Sequence, residues 1–130
     1  MLAMTSSRGS LKNARILIVE DEYFIADDLA RALREAGATT VGPVGTVKQA
    51  DDLLLSKERI DAAILDLNLR GEMAYALAER LAAAKLPVLI VSGYSGDSLP
   101  DSLRGVPQLE KPISPARVID QLCAQLKRAR

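Results

Sequence analysis

The stretch Asp61-Ala62-Ala63-Ile64-Leu65-Asp66-Leu67-Asn68 is a run of small and apolar side chains that ends, where the chain must emerge, on a carboxylate. A run this short and this apolar reads as a strand covered on both faces, the kind found inside a parallel sheet. In such sheets ligands and chemistry sit at the carboxyl ends of the strands, so Asp66 is expected to face a crevice rather than the core.

Two further runs share that design. Arg15-Ile16-Leu17-Ile18-Val19-Glu20 is β-branched and ends in acid, and Pro87-Val88-Leu89-Ile90-Val91-Ser92 ends on a hydroxyl. Glu20-Asp21-Glu22 is predicted to open a helix that turns Ile25, Leu29, Ala32, Leu33 and Ala36 to one side and stops at Gly37, its acids complementing the helix dipole. Thr39-Thr40-Val41-Gly42-Pro43-Val44 is a poorer strand, and Pro43, which cannot donate to a ladder, points to a sheet edge. Thr46 and Gln49 form a capping box for a helix through about Lys57. After Asp66 the loop Asn68-Leu69-Arg70-Gly71 leads into a helix striped by Met73, Leu77, Leu81 and Ala84 and halted before Pro87. Residues 93–105 are rich in glycine and serine, with Leu99 and Leu103 as anchors, so any helix there is short or mobile. Residues 107–110 make a brief edge strand closed by Lys111-Pro112, a bond that base rates alone would make trans. Ser114 as N-cap and Pro115 at the first helical position open a last helix with Val118, Ile119, Leu122 and Leu126 inward.

Five strands alternating with helices, weak at the second and fifth, predict an α/β fold with helices on both faces: a doubly wound, flavodoxin-like parallel sheet of order 2-1-3-4-5. That order makes strands 1, 3 and 4 neighbours. Glu20, Asp21, Asp66 and Ser92 then converge at one rim, and Lys111 arrives from strand 5.

Composition bounds the function. The chain has 130 residues, 17 basic against 17 acidic, and is 48% hydrophobic, as expected of one soluble domain with a substantial core. Residues 1–13 read as a disordered lead and 14–130 as a single domain. Balanced charge makes no case for nucleic acid or a membrane, and no apolar run approaches the length that spans a bilayer. Cys123 is the only cysteine and histidine is absent, which excludes both an intrachain disulfide and the usual nitrogen and sulfur zinc site. A reducing cytoplasm fits that composition. Asp27-Asp28 and Asp51-Asp52 read as solvated helix faces.

The chemistry of the rim follows from its residue types. Two carboxylates at 4 Å repel by about 4 kcal/mol at an effective dielectric near 20, so three together must protonate or bind a cation. Oxygen-only ligands favour magnesium. A carboxylate beside magnesium, a hydroxyl and an ammonium suits in-line attack on phosphorus, with an aspartyl phosphate as product.

These residues resemble a bacterial response-regulator receiver domain, CheY-like, over 15–127. The motifs are Ile-Leu-Ile-Val-Glu20-Asp21-Glu, Leu-Asp66-Leu-Asn68-Leu-Arg-Gly, Val-Ser92-Gly-Tyr94 and Leu-Glu-Lys111-Pro112. The resemblance implies a single-domain regulator of a phosphorelay, with Asp66 as phosphoacceptor. It implies that Glu20, Asp21, Asp66 and the backbone carbonyl of Asn68 hold magnesium, that Ser92 and Lys111 contact the phosphoryl group, and that the Lys111-Pro112 bond is cis, aiming the lysine into the acidic crevice. The donor would be the phosphohistidine of a sensor histidine kinase or a histidine phosphotransfer protein, and an unknown downstream protein would read the signal. A receiver of this kind is not an enzyme, beyond self-phosphorylation and self-dephosphorylation. Since the chain stops with the helix after Lys111-Pro112, no output domain is expected.

Receivers usually carry an aromatic switch three residues before the lysine, where this chain has Gln108. The resemblance therefore points to a stress-signalling subgroup without that ring, and Tyr94 is expected to take over the switch. Two rivals are a pseudo-receiver that binds its partner without phosphorylation and a small magnesium-dependent phosphohydrolase. Against the second, such enzymes want an acid two residues after the nucleophile, where Asn68 stands, and no glycine-rich phosphate loop follows any strand.

Overall fold

The computed structural model describes residues 10–93 and 99–129. The three apolar runs become the central strands: β1 (Arg15–Val19), β3 (Ala62–Asp66) and β4 (Val88–Ser92), with β2 (Thr39–Val44) and β5 (Gln108–Glu110) outside them. Within this sheet the pairings are parallel and the order is β2-β1-β3-β4-β5, the doubly wound order expected. Among the described residues four helices alternate with the strands: α1 (Tyr23–Glu35), α2 (Val47–Leu55), α3 (Tyr75–Ala83) and α4 (Pro115–Ala129).

Side chains alternate across a strand, so each central strand feeds two cores. Ile16, Ile18, Ile64, Leu89 and Val91 pack with Leu29 and Leu33 of α1 and Val118 and Leu122 of α4. Leu17, Val19, Ala63, Leu65, Val88 and Ile90 pack on the other face with Ala50 of α2 and Leu77, Ala78 and Leu81 of α3. Val19 pairs with Leu65 and Leu65 with Ile90, so β1, β3 and β4 end at nearly one level. The residues that follow those ends share one rim.

The edge strand β2 carries an irregularity. Leu17 aligns with Val41 but Val19 with Val44, so the Gly42-Pro43 pair is accommodated as a bulge on the outer edge. Gly42 has φ +87°, and a Cβ there would meet Val44 N at 2.9 Å and Ile18 O at 3.0 Å. Both the Gly42-Pro43 and the expected Lys111-Pro112 peptide bonds are cis.

Several local readings are corrected. α1 begins at Tyr23 rather than within Glu20-Asp21-Glu22 and has no acid in its first turn. The reason is that Glu20 Oε2 accepts the Glu22 N–H at 3.0 Å, which holds the three acids in the turn ahead of the helix. The Thr46 cap is half a capping box. Its hydroxyl accepts from Gln49 N at 3.0 Å, but the Gln49 side chain accepts from Gly45 N rather than from the cap itself. α2 ends at Leu55, short of Lys57. Met73 is not helical: Asn68–Leu69 and Glu72–Met73 pair as a small antiparallel ribbon, leaving Met73 exposed. Ala74 takes the inward position, with Leu77, Ala78 and Leu81 after it.

Between β4 and β5 the described residues hold one 3₁₀ turn, Asp101–Leu103. Leu103 is buried among the α3-side residues. Tyr94 lies outside the described residues. Among the described residues no helix is long and apolar enough to cross a membrane.

Candidate functional site

Each strand end delivers one part of the site. β1 ends at Val19, so Glu20 and Asp21 come next; β3 ends on Asp66; β4 ends on Ser92; β5 ends just before Lys111. Carboxylate oxygens of Glu20, Asp21 and Asp66 lie within 4.8 Å of one another. Glu20 is 3% and Asp66 4% exposed, which removes both from the class of solvated surface acids.

Lys111 is the counter-ion of this cluster. Its Nζ lies 2.8 Å from Asp66 Oδ2 and 3.2 Å from Glu20 Oε1, and also 3.2 Å from Glu22 Oε2. The backbone fixes the lysine as well, since Lys111 N donates to Ser92 O at 2.7 Å. The other Asp66 oxygen, Oδ1, accepts from Asn68 N at 3.0 Å. The Asn68 side chain in turn accepts from Gly71 N at 2.7 Å and tightens the loop that follows. Asp66 is thus held at both oxygens.

Electrostatics favour a cation here. Burial pushes the Glu20 carboxyl up to about 7; the Glu22 N–H opposes this, the Asp66 charge adds to it, and Lys111 opposes it. Burial alone would lower the Lys111 ammonium, but its hydrogen bond to Asp66 and the charges of Asp66 and Glu20 outweigh that and raise it. One ammonium shared among three carboxylates leaves Glu20 incompletely compensated. Glu20 Oε1 is buried and, although the Lys111 ammonium is near, accepts no hydrogen bond of good geometry. An oxygen-only cluster with an orphaned buried acceptor fits a hard divalent cation.

The cluster opens into a cavity of about 480 Å³ lined by Asp21, Glu22, Asp66, Asn68, Arg70, Gly71, Gly93 and Lys111. All the described residues expected at the site, Glu20, Asp21, Asp66, Asn68, Ser92 and Lys111, therefore meet at one rim. Tyr94 alone falls outside the description. Two charged neighbours were missed from sequence: Glu22, on Lys111, and Arg70, whose Nε stands 3.5 Å from Asp21 Oδ2. The signal for Glu22 was its place as third acid in the run. For Arg70 it was a cation beside a glycine in the loop leaving Asp66.

Residues 16–122 match the response regulator receiver domain family, and the chain belongs to it. It is 42% identical to SdrG from Sphingomonas melonis Fr1, whose solution structure superposes with a TM-score of 0.69 over 88% of this chain and 97% of that one. The crystal structure of a CheY-like receiver domain protein from Methanospirillum hungatei JF-1 covers 91% of this chain and 97% of that one, at 22% identity and a TM-score of 0.77, a likeness of fold. Among curated relatives, the transcriptional regulatory protein PdtaR of Mycobacterium tuberculosis is 26% identical over 125 residues, 95% of this chain. The chain spans 60% of that relative's length. The chain thus carries the receiver domain of a response regulator in two-component signalling.

Proposed function

We propose that Asp66 accepts a phosphoryl group from the phosphohistidine of a sensor kinase or histidine phosphotransfer protein, and that the charged protein signals by changing which protein it binds. The observation that carries this reading is the approach of Lys111 Nζ to Asp66 Oδ2 at 2.8 Å, inside a cluster of three acids that opens to a cavity. An Asp66 oxygen attacks phosphorus in line; the new O–P bond forms as the P–N bond of the donor breaks, and the imidazole leaves and takes up a proton. Lys111 moves from the carboxylate to a transferred oxygen, where a charge-assisted hydrogen bond stabilises the charge that Asp66 loses to the ester. The Ser92 hydroxyl, at the end of the neighbouring strand, donates to another.

Glu20, Asp21, Asp66 and the Asn68 backbone carbonyl would hold magnesium, which supplies charge neutralisation to the transferring oxygens. The same arrangement supports self-phosphorylation from small donors and slow self-dephosphorylation, with no turnover of other substrates. Phosphohistidine donors are charged from ATP, so the cytoplasm is the compartment that suits the reaction. Neither nucleic acid nor membrane is required of this domain.

The test is incubation with magnesium and acetyl phosphate followed by peptide mass spectrometry. Phosphate on Asp66, lost in Asp66→Asn, is the expected outcome; an Asn variant labelled as fully as the parent overturns the assignment.

A further inference from the structure

We infer that Arg70 is a mobile clamp for the phosphoryl group, parked on Asp21 until a divalent cation takes that carboxylate from it. This rests on the phosphoacceptor reading and adds a group that contacts the transferred oxygens.

The backbone supplies the first observation. Leu69 pairs with Glu72, so Arg70 and Gly71 are the two central residues of a two-residue hairpin loop. Their φ values are +53° and +93°, the left-handed pair of a tight hairpin turn that asparagine or glycine fills with least strain. An arginine accepts that strain here, which aims its side chain from a short, braced ribbon. The Asn68 side chain and the Asn68–Met73 pairing brace it from below.

The second observation is where the side chain lies. Arg70 lines the same cavity as Asp66 and Lys111. Its guanidinium makes an ion pair with Asp21 at 3.5 Å, too long for a good hydrogen bond, while its own side chain is 81% exposed and Asp21's 13%. Such a contact is weak and readily exchanged. It also blocks one of the three carboxylates that a cation needs. A cation at the cluster therefore releases the guanidinium at the moment the crevice becomes competent for phosphoryl transfer. A planar guanidinium with five donors is the side chain best matched to two oxygens of a phosphoryl group. Ser92 stands at the β4 end and Lys111 just after the β5 end, whereas Arg70 sits in the hairpin loop that follows β3.

Two linked readouts test this, with Arg70→Gln, Arg70→Lys and, as a control on α1, Arg31→Gln. The first is the magnesium concentration that half-saturates the thermal shift; Arg70→Gln is expected to lower it about threefold, because the competing cation is gone. The second is affinity for beryllofluoride, a phosphoryl mimic, and the acetyl-phosphate labelling rate, both at saturating magnesium. Both are expected to fall about tenfold in Arg70→Gln and less in Arg70→Lys, with Arg31→Gln like the parent. If Arg70→Gln binds magnesium more tightly but keeps parental beryllofluoride affinity and labelling, Arg70 merely neutralises Asp21 and the clamp is refuted. An unchanged magnesium midpoint refutes the parked state. Failure of the parent itself to label on Asp66 would instead overturn the underlying phosphoacceptor reading.

Discussion

Glu20 concentrates the physical conflict of this site in one residue: it is buried, carries an orphaned oxygen, and shares the Lys111 ammonium with Asp66 and Glu22. Its carboxyl rises from an ordinary value of 4.5 to about 7, mainly through burial. The folded protein therefore holds this proton more tightly than the unfolded chain. Stability from Glu20 is fullest below about pH 4.5 and is lost as pH rises toward 7, by an amount on the order of 3 kcal/mol. In chelator-treated protein, urea denaturation of the parent and Glu20→Gln across pH 5 to 8 should show the parent losing ground to the variant as pH rises. Saturating magnesium should flatten the difference, since a cation favours the charged form. Parallel stability profiles without metal would contradict the burial argument. Asp21 makes a companion case: Asp21→Ala should raise the metal-free melting temperature by relieving repulsion, yet abolish the magnesium-induced rise. A variant that still responds to magnesium like the parent would remove Asp21 from the ligand set.

At the scale of elements, what was legible in the sequence is what periodicity and strand ends dictate. Three apolar runs each ending on a polar group located the rim, because a parallel sheet brings the carboxyl ends of neighbouring strands together whatever the helices do. Helix starts were less legible. Glu20-Asp21-Glu22 looks like an acidic first turn until Glu20 turns back to accept the Glu22 amide, a choice made by tertiary packing around Lys111. Met73 falls on a helical stripe with Leu77 and Leu81 by spacing alone, and the left-handed Arg70-Gly71 pair cancels that reading. Side-chain pairs between elements away from the rim were hidden: Asp51, read as a solvated face, reaches Arg80 at 2.7 Å and ties α2 to α3. The bulge in β2 carries its own prediction. Gly42→Ala places a Cβ against fixed backbone, 2.9 Å from Val44 N, at a φ that L residues rarely adopt. A loss of about 1–3 kcal/mol is expected in denaturant titration. A change below 0.5 kcal/mol would mean that the edge strand can re-register.

On the scale of the whole molecule, two cores of unequal finish enclose the sheet. α1 and α4 cover one face, while among the described residues the other is closed by α2, α3 and, between β4 and β5, a 3₁₀ turn anchored by Leu103. Ser102 Oγ also donates a hydrogen bond to Glu79 Oε2 on α3. By sequence, Gly93 to Gly105 carries Leu99 and Leu103 as its apolar anchors, so one charge-assisted hydrogen bond is expected to suffice to bias its arrangement. Gln108, by contrast, stands exposed on β5 with no ring to swing into a vacated slot, and its neighbour Leu109 is already buried. Phosphorylation at Asp66 would draw Ser92 toward the phosphoryl group, and the displacement would pass into the segment that Ser92 leads. We therefore expect Tyr94→Ala to leave Asp66 labelling within about twofold of the parent while weakening phosphorylation-dependent partner binding about tenfold, and Gln108→Ala to leave both within about twofold. The check is amide chemical shifts on beryllofluoride addition: residues 93–105 should move well beyond Gln108. Shifts centred on Gln108 with 93–105 unmoved would relocate the switch to β5.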